Sequence, residues 1–282
     1  MPDTSVETAR VSAPGAPRPV TPTTILAAGL ADVAHRLTAG VAPDADLLAE
    51  LDRLVTLAAG LDPYLAHHTT AESPALAELA RRTADEDWNG PSGNGVVEQE
   101  MVSGHVEGQF LKTLVHLARA TDVLEIGMFT GYSALAMAEA VPAHGRVVAC
   151  ELDPDVAAFA SRCLGASADG AKVDVRVGPA IDTLAELAAG DEQFDLVFLD
   201  ADKTGYGDYL AAVLDGDLLT AHGVVVVDNT LMQGQPWSAV NRTVNGDAIA
   251  VFNEMVAADP RVEQVVLPLR DGLTLIRRVD GS

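Results

Sequence analysis

Apolar residues recur at two periods along this chain, and the change from one to the other divides it. From Thr23, the residues Ile25, Leu26, Leu30, Val33 and Leu37 return at helical spacing, and Leu47, Leu48, Leu51, Leu54, Val55 and Leu57 do the same. Each run closes on a glycine, Gly40 or Gly60, as helix ends often do. A third helix is expected after Ser73, with Pro74 in its first turn and Leu76, Leu79 and Ala80 turned inward. Met101 to Ala120 reads as a fourth, with Phe110, Leu111, Leu114, Val115 and Leu117 along one side. From Asp122 the texture becomes short Val/Ile/Leu-rich strands, each followed by ten to fifteen helical residues. Strands are expected near 122–126, 146–151, 172–177, 194–199 and 223–228. They are apolar almost throughout, as a parallel sheet covered on both faces requires. Two more, near 262–267 and 272–279, are joined only by Arg270-Asp271-Gly272, so they must run antiparallel. The expected fold is α/β: a Rossmann-like sheet of five parallel strands plus a C-terminal antiparallel hairpin, with helices on both faces. Residues 23–100 form an N-terminal helical extension or cap, and 101–282 the main domain. Residues 1–22 hold five prolines among Ser, Thr and Gly and read as a disordered tail.

Composition narrows the partners. The 282 residues carry 18 Lys plus Arg against 41 Asp plus Glu, a formal charge of −23. A field of that sign repels phosphate backbones and anionic lipid, so neither nucleic acid nor a membrane surface is an expected partner. No stretch reaches the roughly 18 apolar residues that span a bilayer. The acidic, proline-rich start does not resemble a signal peptide. Cys150 and Cys163 are too few for a disulfide framework and read as small core residues, in keeping with a cytoplasmic protein.

Candidate chemistry gathers at strand ends, where ligands bind in such sheets. The first strand runs into Glu125-Ile126-Gly127-Met128-Phe129-Thr130-Gly131-Tyr132-Ser133. Two glycines four apart suit a backbone that passes close to a ligand. The pattern is not the dinucleotide G-x-G-x-x-G, and Phe129 would crowd a pyrophosphate. Glu151 ends the second strand, where an acid can accept hydrogen bonds from a ribose diol. Glu125 is a carboxylate at the tip of a buried strand, costly unless paired. The cationic amino-acid end of S-adenosylmethionine would supply the partner. Asp153 reads as the N-cap of the next helix, with Pro154 at its first position.

The fourth and fifth strands end in Asp200-Ala201-Asp202-Lys203 and Asp228-Asn229. Neighbouring parallel strands would bring Asp200, Asp228 and Asn229 to one spot, where a hard divalent cation resolves their repulsion. Magnesium is the expected ion, with manganese or calcium as alternatives. Such an ion suits methyl transfer to oxygen. A phenol titrating near 10 is only about 0.1% ionised at pH 7, which adds roughly 4 kcal/mol of barrier. Chelation of two vicinal oxygens lowers it and fixes the nucleophile. Lys203 could take the proton or support the oxyanion.

On these stretches the chain resembles the cation-dependent, caffeoyl-CoA-type O-methyltransferase family. The resemblance also includes Glu107-Gly108-Gln109-Phe110, Gly178-Pro179-Ala180 and Asp271-Gly272-Leu273-Thr274-Leu275, in the family's order from Met101 to Arg278. It implies metal binding by Asp200, Asp228 and Asn229, and beside it the residues themselves mark Asp200 and Lys203 as the catalytic candidates. It implies an S-adenosylmethionine site lined by Ser103, Glu125, Gly127, Met128, Ser133, Glu151, Ala180 and Asp202. A small acceptor with vicinal oxygens and a homodimer are also implied. The chain departs from the family at Gly104-His105-Val106, at Met232 where a Trp is usual, and in its longer amino-terminal block. These departures fall around the acceptor and put a CoA ester in doubt.

A narrower similarity links Gly60-Leu61-Asp62-Pro63-Tyr64-Leu65, Thr69-Thr70, Glu72-Ser73, Asp87-Trp88 and Glu98-Gln99-Glu100-Met101 to the methyltransferases of mycosporine biosynthesis. It implies demethyl-4-deoxygadusol as acceptor, with catechol, phenolic or polyketide acceptors as alternatives. His105, near the expected cofactor, reads as a packing or helix-start residue rather than a base. Two other functions fit such a sheet. A nicotinamide oxidoreductase is disfavoured by the missing glycine pattern, and a non-catalytic binding protein by the intact acidic set.

Overall fold

The computed structural model describes residues 22–40, 42–86, 88, 101–238 and 242–279. The expected tail lies outside these residues except for Pro22, as do Asp87 and Glu98-Gln99-Glu100. The chain divides into two compact units, up to Thr69 and from Thr70 onward.

The first unit is a pair of helices, α1 (Pro22–Thr38) and α2 (Ala45–His68). Val33, Leu47 and Leu54 are buried between them, with Leu26 beside. Gly29 permits the approach, since a Cβ there would lie 2.4 Å from Leu54. Gly40 takes a left-handed φ of 81° after α1, but Gly60 does not end α2. The helix continues through Gly60 and Pro63 to His68. Pro63 leaves the Ala59 carbonyl without its helical donor. Ala59 is exposed, so water can take that place.

The second unit begins with α3 (Pro74–Asp85), whose N-cap Ser73 accepts from the Leu76 amide ahead of Pro74. Leu76 and Leu79 join the core formed by α4 (Gly104–Ala118) and α5 (Tyr132–Ala140). For that reason the compact units part earlier than the boundary expected between residues 100 and 101. Helix α4 starts later than the apolar pattern suggests, because Gly104 enters it at φ 77°. Leu117 is exposed rather than inward.

Seven strands form one sheet: β1 (Asp122–Ile126), β2 (Arg146–Glu151), β3 (Val173–Val177), β4 (Phe194–Leu199), β5 (Leu219–Val227), β6 (Val262–Leu267) and β7 (Leu273–Arg278). Their order is β3-β2-β1-β4-β5-β7-β6, the first five in chain order parallel and β7 antiparallel to both neighbours. This is the expected Rossmann-like sheet. Alternate residues face opposite layers. Val123, Ala149, Phe198 and Val226 pack toward α3, α4, α5 and α6 (Pro154–Leu164). Leu124, Ile126, Val197 and Val225 pack toward α7 (Ala180–Ala189), α8 (Tyr206–Asp215) and α9 (Val244–Ala258). Strand order reverses between β1 and β4, which opens a crevice beyond their carboxyl ends. Among the described residues, no helix is long and apolar enough to cross a membrane.

Candidate functional site

The register sets the site. Ile126 pairs with Cys150 on one side and Leu199 on the other, and Leu199 pairs with Val227. Gly127, Glu151, Asp200 and Asp228 therefore emerge abreast. Gly127 sits at φ 93°, and a Cβ there would lie 2.1 Å from the Asp200 carbonyl oxygen, so only glycine fits. A cavity of about 820 Å³ opens over these tips.

Of the sequence-expected residues, Ser103, Gly127, Met128, Ser133, Glu151, Ala180, Asp200, Asp202, Lys203, Asp228 and Asn229 line this cavity. Glu151 Oε2 accepts the Phe129 amide at 2.7 Å and Oε1 the Asp153 amide at 2.9 Å. Each oxygen keeps a lone pair for a further donor. Burial pushes the Glu151 carboxyl above its usual range, and those amides pull it back. Phe129 is held at φ 52° with its ring 5.2 Å from that of Trp88. Asp153 caps α6 as expected, accepting from Asp155 and Val156 ahead of Pro154.

Glu125 is placed differently. It is 0% exposed, does not line the cavity, and has no hydrogen-bond partner on either oxygen. Burial drives its carboxyl well above the usual range, while the nearby Ser133 pulls the other way. His105 also stays out of the cavity, its Nε2 lying 2.6 Å from the Thr70 carbonyl. Cys150 and Cys163 are buried free thiols, and burial pushes Cys150 up to about 12.

The acidic tips are tied together by the expected Lys203 and Asn229 and by two tyrosines, Tyr206 and Tyr209, that sequence reasoning did not name. Lys203 Nζ donates to Asp200 Oδ1 at 2.8 Å, to the Ala201 carbonyl at 3.1 Å and to Tyr206 Oη at 2.8 Å. Tyr206 in turn donates to the Asp228 carbonyl at 3.1 Å. Asp228 Oδ1 accepts the Asn229 amide at 2.6 Å, and Oδ2 accepts Asn229 Nδ2 at 3.1 Å. Asp202 accepts from Tyr209 Oη at 2.7 Å and from Thr204 at 3.1 Å. Burial and the neighbouring Asp200 raise the Asp228 carboxyl to about 7.

Glu107 completes the group from α4. It is 1% exposed, its Oε1 lacks a partner, and Oε2 lies 3.5 Å from Arg270 Nε. Burial first, then Asp228 and Asp200, raises its carboxyl to about 9. Among the described residues, no three His, Cys, Asp or Glu side chains are grouped as a ready metal cage. The expected ligand set is instead two carboxylates and an amide, which leaves positions open for water or an acceptor. The mutual repulsion of Asp200 and Asp228 and the orphaned buried oxygen of Glu107 both fit a cation at this point.

The O-methyltransferase family matches residues 66–279 of the chain. A caffeoyl-CoA O-methyltransferase of Mesembryanthemum crystallinum is 36% identical over 217 residues, covering 74% of this chain and 81% of the relative. Caffeoyl-CoA O-methyltransferase 1 of Arabidopsis thaliana is 34% identical, with 74% and 79% covered. A Podospora anserina methyltransferase solved with S-adenosylhomocysteine superposes with a TM-score of 0.69 at 28% identity, covering 79% of this chain and 95% of that one. The O-methyltransferase TomG of Streptomyces achromogenes, solved with S-adenosylmethionine and involved in tomaymycin synthesis, gives 0.68 at 28% identity, covering 78% and 96%.

Proposed function

The chain belongs to the class I O-methyltransferase family of the caffeoyl-CoA type, and on that premise we propose that it methylates one of two vicinal oxygens on a small molecule with the help of a divalent cation. It is an S-adenosylmethionine-dependent O-methyltransferase. The reading of its chemistry rests on one observation: Asp200 and Asp228 stand abreast over the cavity, close enough that Asp200 helps to raise the Asp228 carboxyl. Asp200, Asp228 and Asn229 would hold the cation. When bound, it would supply Lewis-acid polarisation of both acceptor oxygens.

The chain's own residues do the rest. Glu151, Gly127, Met128, Ser133, Ser103, Ala180 and Asp202 are assigned to the cofactor side. Glu125, buried behind the cavity wall, is assigned to the cofactor's ammonium, whose arrival would favour its ionised form against the cost of burial. S-adenosylmethionine, when bound, would supply the methyl group to the acceptor oxygen as its carbon–sulfur bond breaks, with S-adenosylhomocysteine and a proton released to solvent. Lys203 spends all three of its donors on Asp200, Ala201 and Tyr206. Bound in this way it acts as an ammonium that fixes Asp200 and stabilises negative charge, rather than as the base.

For the acceptor, the mycosporine-like segments and the substitution of Met232 for the usual Trp favour demethyl-4-deoxygadusol over a CoA ester. Its neighbouring ring oxygens suit chelation. The protein is taken to act in the cytoplasm as a homodimer. Incubation with S-adenosylmethionine, magnesium and demethyl-4-deoxygadusol should yield 4-deoxygadusol by mass spectrometry. No product there, with rapid methylation of a simple catechol, would move the assignment to phenolic acceptors. Asp228→Ala should lose turnover yet keep S-adenosylhomocysteine affinity by calorimetry. Full turnover of that variant in EDTA would remove the cation from the mechanism.

A further inference from the structure

The cavity has two walls from distant parts of the chain, and a single turn touches both. On one wall, Arg270 Nη1 donates to the Ser103 carbonyl and Nη2 to the Val102 carbonyl at 3.4 Å, while Nε faces Glu107. Gly104 leaves room for the guanidinium, since a Cβ there would lie 2.7 Å from Nη1. On the other wall, the Asp271 carbonyl accepts the Leu231 amide at 2.8 Å and its carboxylate accepts the Gln233 amide at 2.6 Å. The Gly272 carbonyl accepts the Thr230 amide at 3.0 Å, and a Cβ on Gly272 would lie 2.3 Å from Leu231.

The wall held by Asp271 follows an unusual backbone path. Asn229, Met232 and Gln233 have φ of 58°, 40° and 54°, all left-handed and none glycine. Such backbone persists only when its surroundings over-determine it. The contacts with residues 271 and 272 provide that constraint.

We propose that the β6–β7 turn is a clasp, in which Arg270 and Asp271 are positioning residues that set the gap between the wall at 102–103 and the wall at 229–233. The inference rests on the reading in which Ser103 faces the cofactor and Asn229 the cation. Arginine suits its place because its rigid planar fork directs Nη1 and Nη2 at two carbonyls and Nε at a carboxylate from one fixed geometry. Asp271 acts as a hydrogen-bond acceptor, not as a charge.

Amide hydrogen exchange of the full chain tests this without needing an acceptor. Arg270→Ala, and to a lesser degree Arg270→Lys, should speed exchange in 101–106 by at least about tenfold, the lower bound for losing a hydrogen bond from a charged donor, and leave 229–234 unchanged. Asp271→Ala should do the reverse. Asp271→Asn keeps an acceptor oxygen and should behave as the unaltered chain, which also provides a folded variant should Asp271→Ala fail to fold. Unchanged exchange in the Arg270 variants, or opening of 229–234 in Asp271→Asn, overturns the clasp. Opening of 101–106 with unaltered S-adenosylhomocysteine affinity would support the clasp while taking Ser103 off the cofactor wall.

Discussion

Replacing Gly127 by alanine tests whether the abutment of β1 on β4 holds the site in place. The new Cβ would lie 2.1 Å from the Asp200 carbonyl oxygen, 2.7 Å from its carbon and 2.9 Å from Ala201 Cα. All three are backbone atoms, so no side-chain rotation relieves the contact. A carbon and a carbonyl oxygen normally come no closer than about 3.3 Å, so the strand tips must part by roughly 1 Å. The left-handed backbone adds roughly 1–2 kcal/mol for a residue with a Cβ. Overpacking adds roughly 1–3 kcal/mol. A loss of about 3 kcal/mol would lower Tm by roughly 6–12 °C in a domain of this size.

The catalytic loss follows from the same displacement. Asp200 moves with its carbonyl, and a misplacement of about 1 Å costs on the order of 100-fold in rate. Gly131→Ala is the control. It also has a left-handed φ, of 88°, but its Cβ would meet only Leu164 at 3.5 Å, an ordinary contact. It should lose roughly 1–2 kcal/mol with little displacement of Asp200. Thermal melting and initial-rate assays on both variants decide the matter. A Gly127→Ala protein that melts within about 2 °C of the parent and turns over normally would falsify the close-approach reasoning.

Two further outcomes follow from the buried acids. Glu125→Gln should raise the stability of the cofactor-free protein at neutral pH, because it removes a carboxyl that burial disfavours, yet weaken S-adenosylhomocysteine binding; stronger or equal binding by calorimetry would exclude attraction of the ligand's ammonium. Glu107 titrates near 9 in the folded chain and near 4.3 unfolded, so the folded state keeps the proton longer. Its contribution to stability is then complete below about 4.3 and declines as pH rises toward about 9. Urea unfolding in EDTA at several pH values should show a shallower decline for Glu107→Gln, and parallel slopes for the two proteins would contradict the assignment.

How much of this was legible in the sequence depended on how local each cause is. The strands β1 to β5 were readable because burial on both faces demands unbroken apolar runs such as Val147-Val148-Ala149-Cys150. The Ser73-Pro74 and Asp153-Pro154 helix starts were readable because a cap and its helix lie within four residues. Gly60 misled because an internal glycine costs only about 1 kcal/mol, less than the rest of α2 can offset.

In the site, the residues at strand tips followed from sheet register, but the groups that hold them did not. Glu107 did leave a trace: it stands four and eight residues before Leu111 and Val115, so an acid falls on the buried face of α4. Nothing local to Arg270 marks it in that way. Its partners Ser103 and Val102 lie 167 and 168 positions away in the chain. Only the return of β7 beside β5 brings the turn to the cavity. A residue whose role depends on that closure can be found only by asking which cation could reach an acid already known to be buried. Glu107, recognised as such, would have pointed to Arg270 from the sequence side.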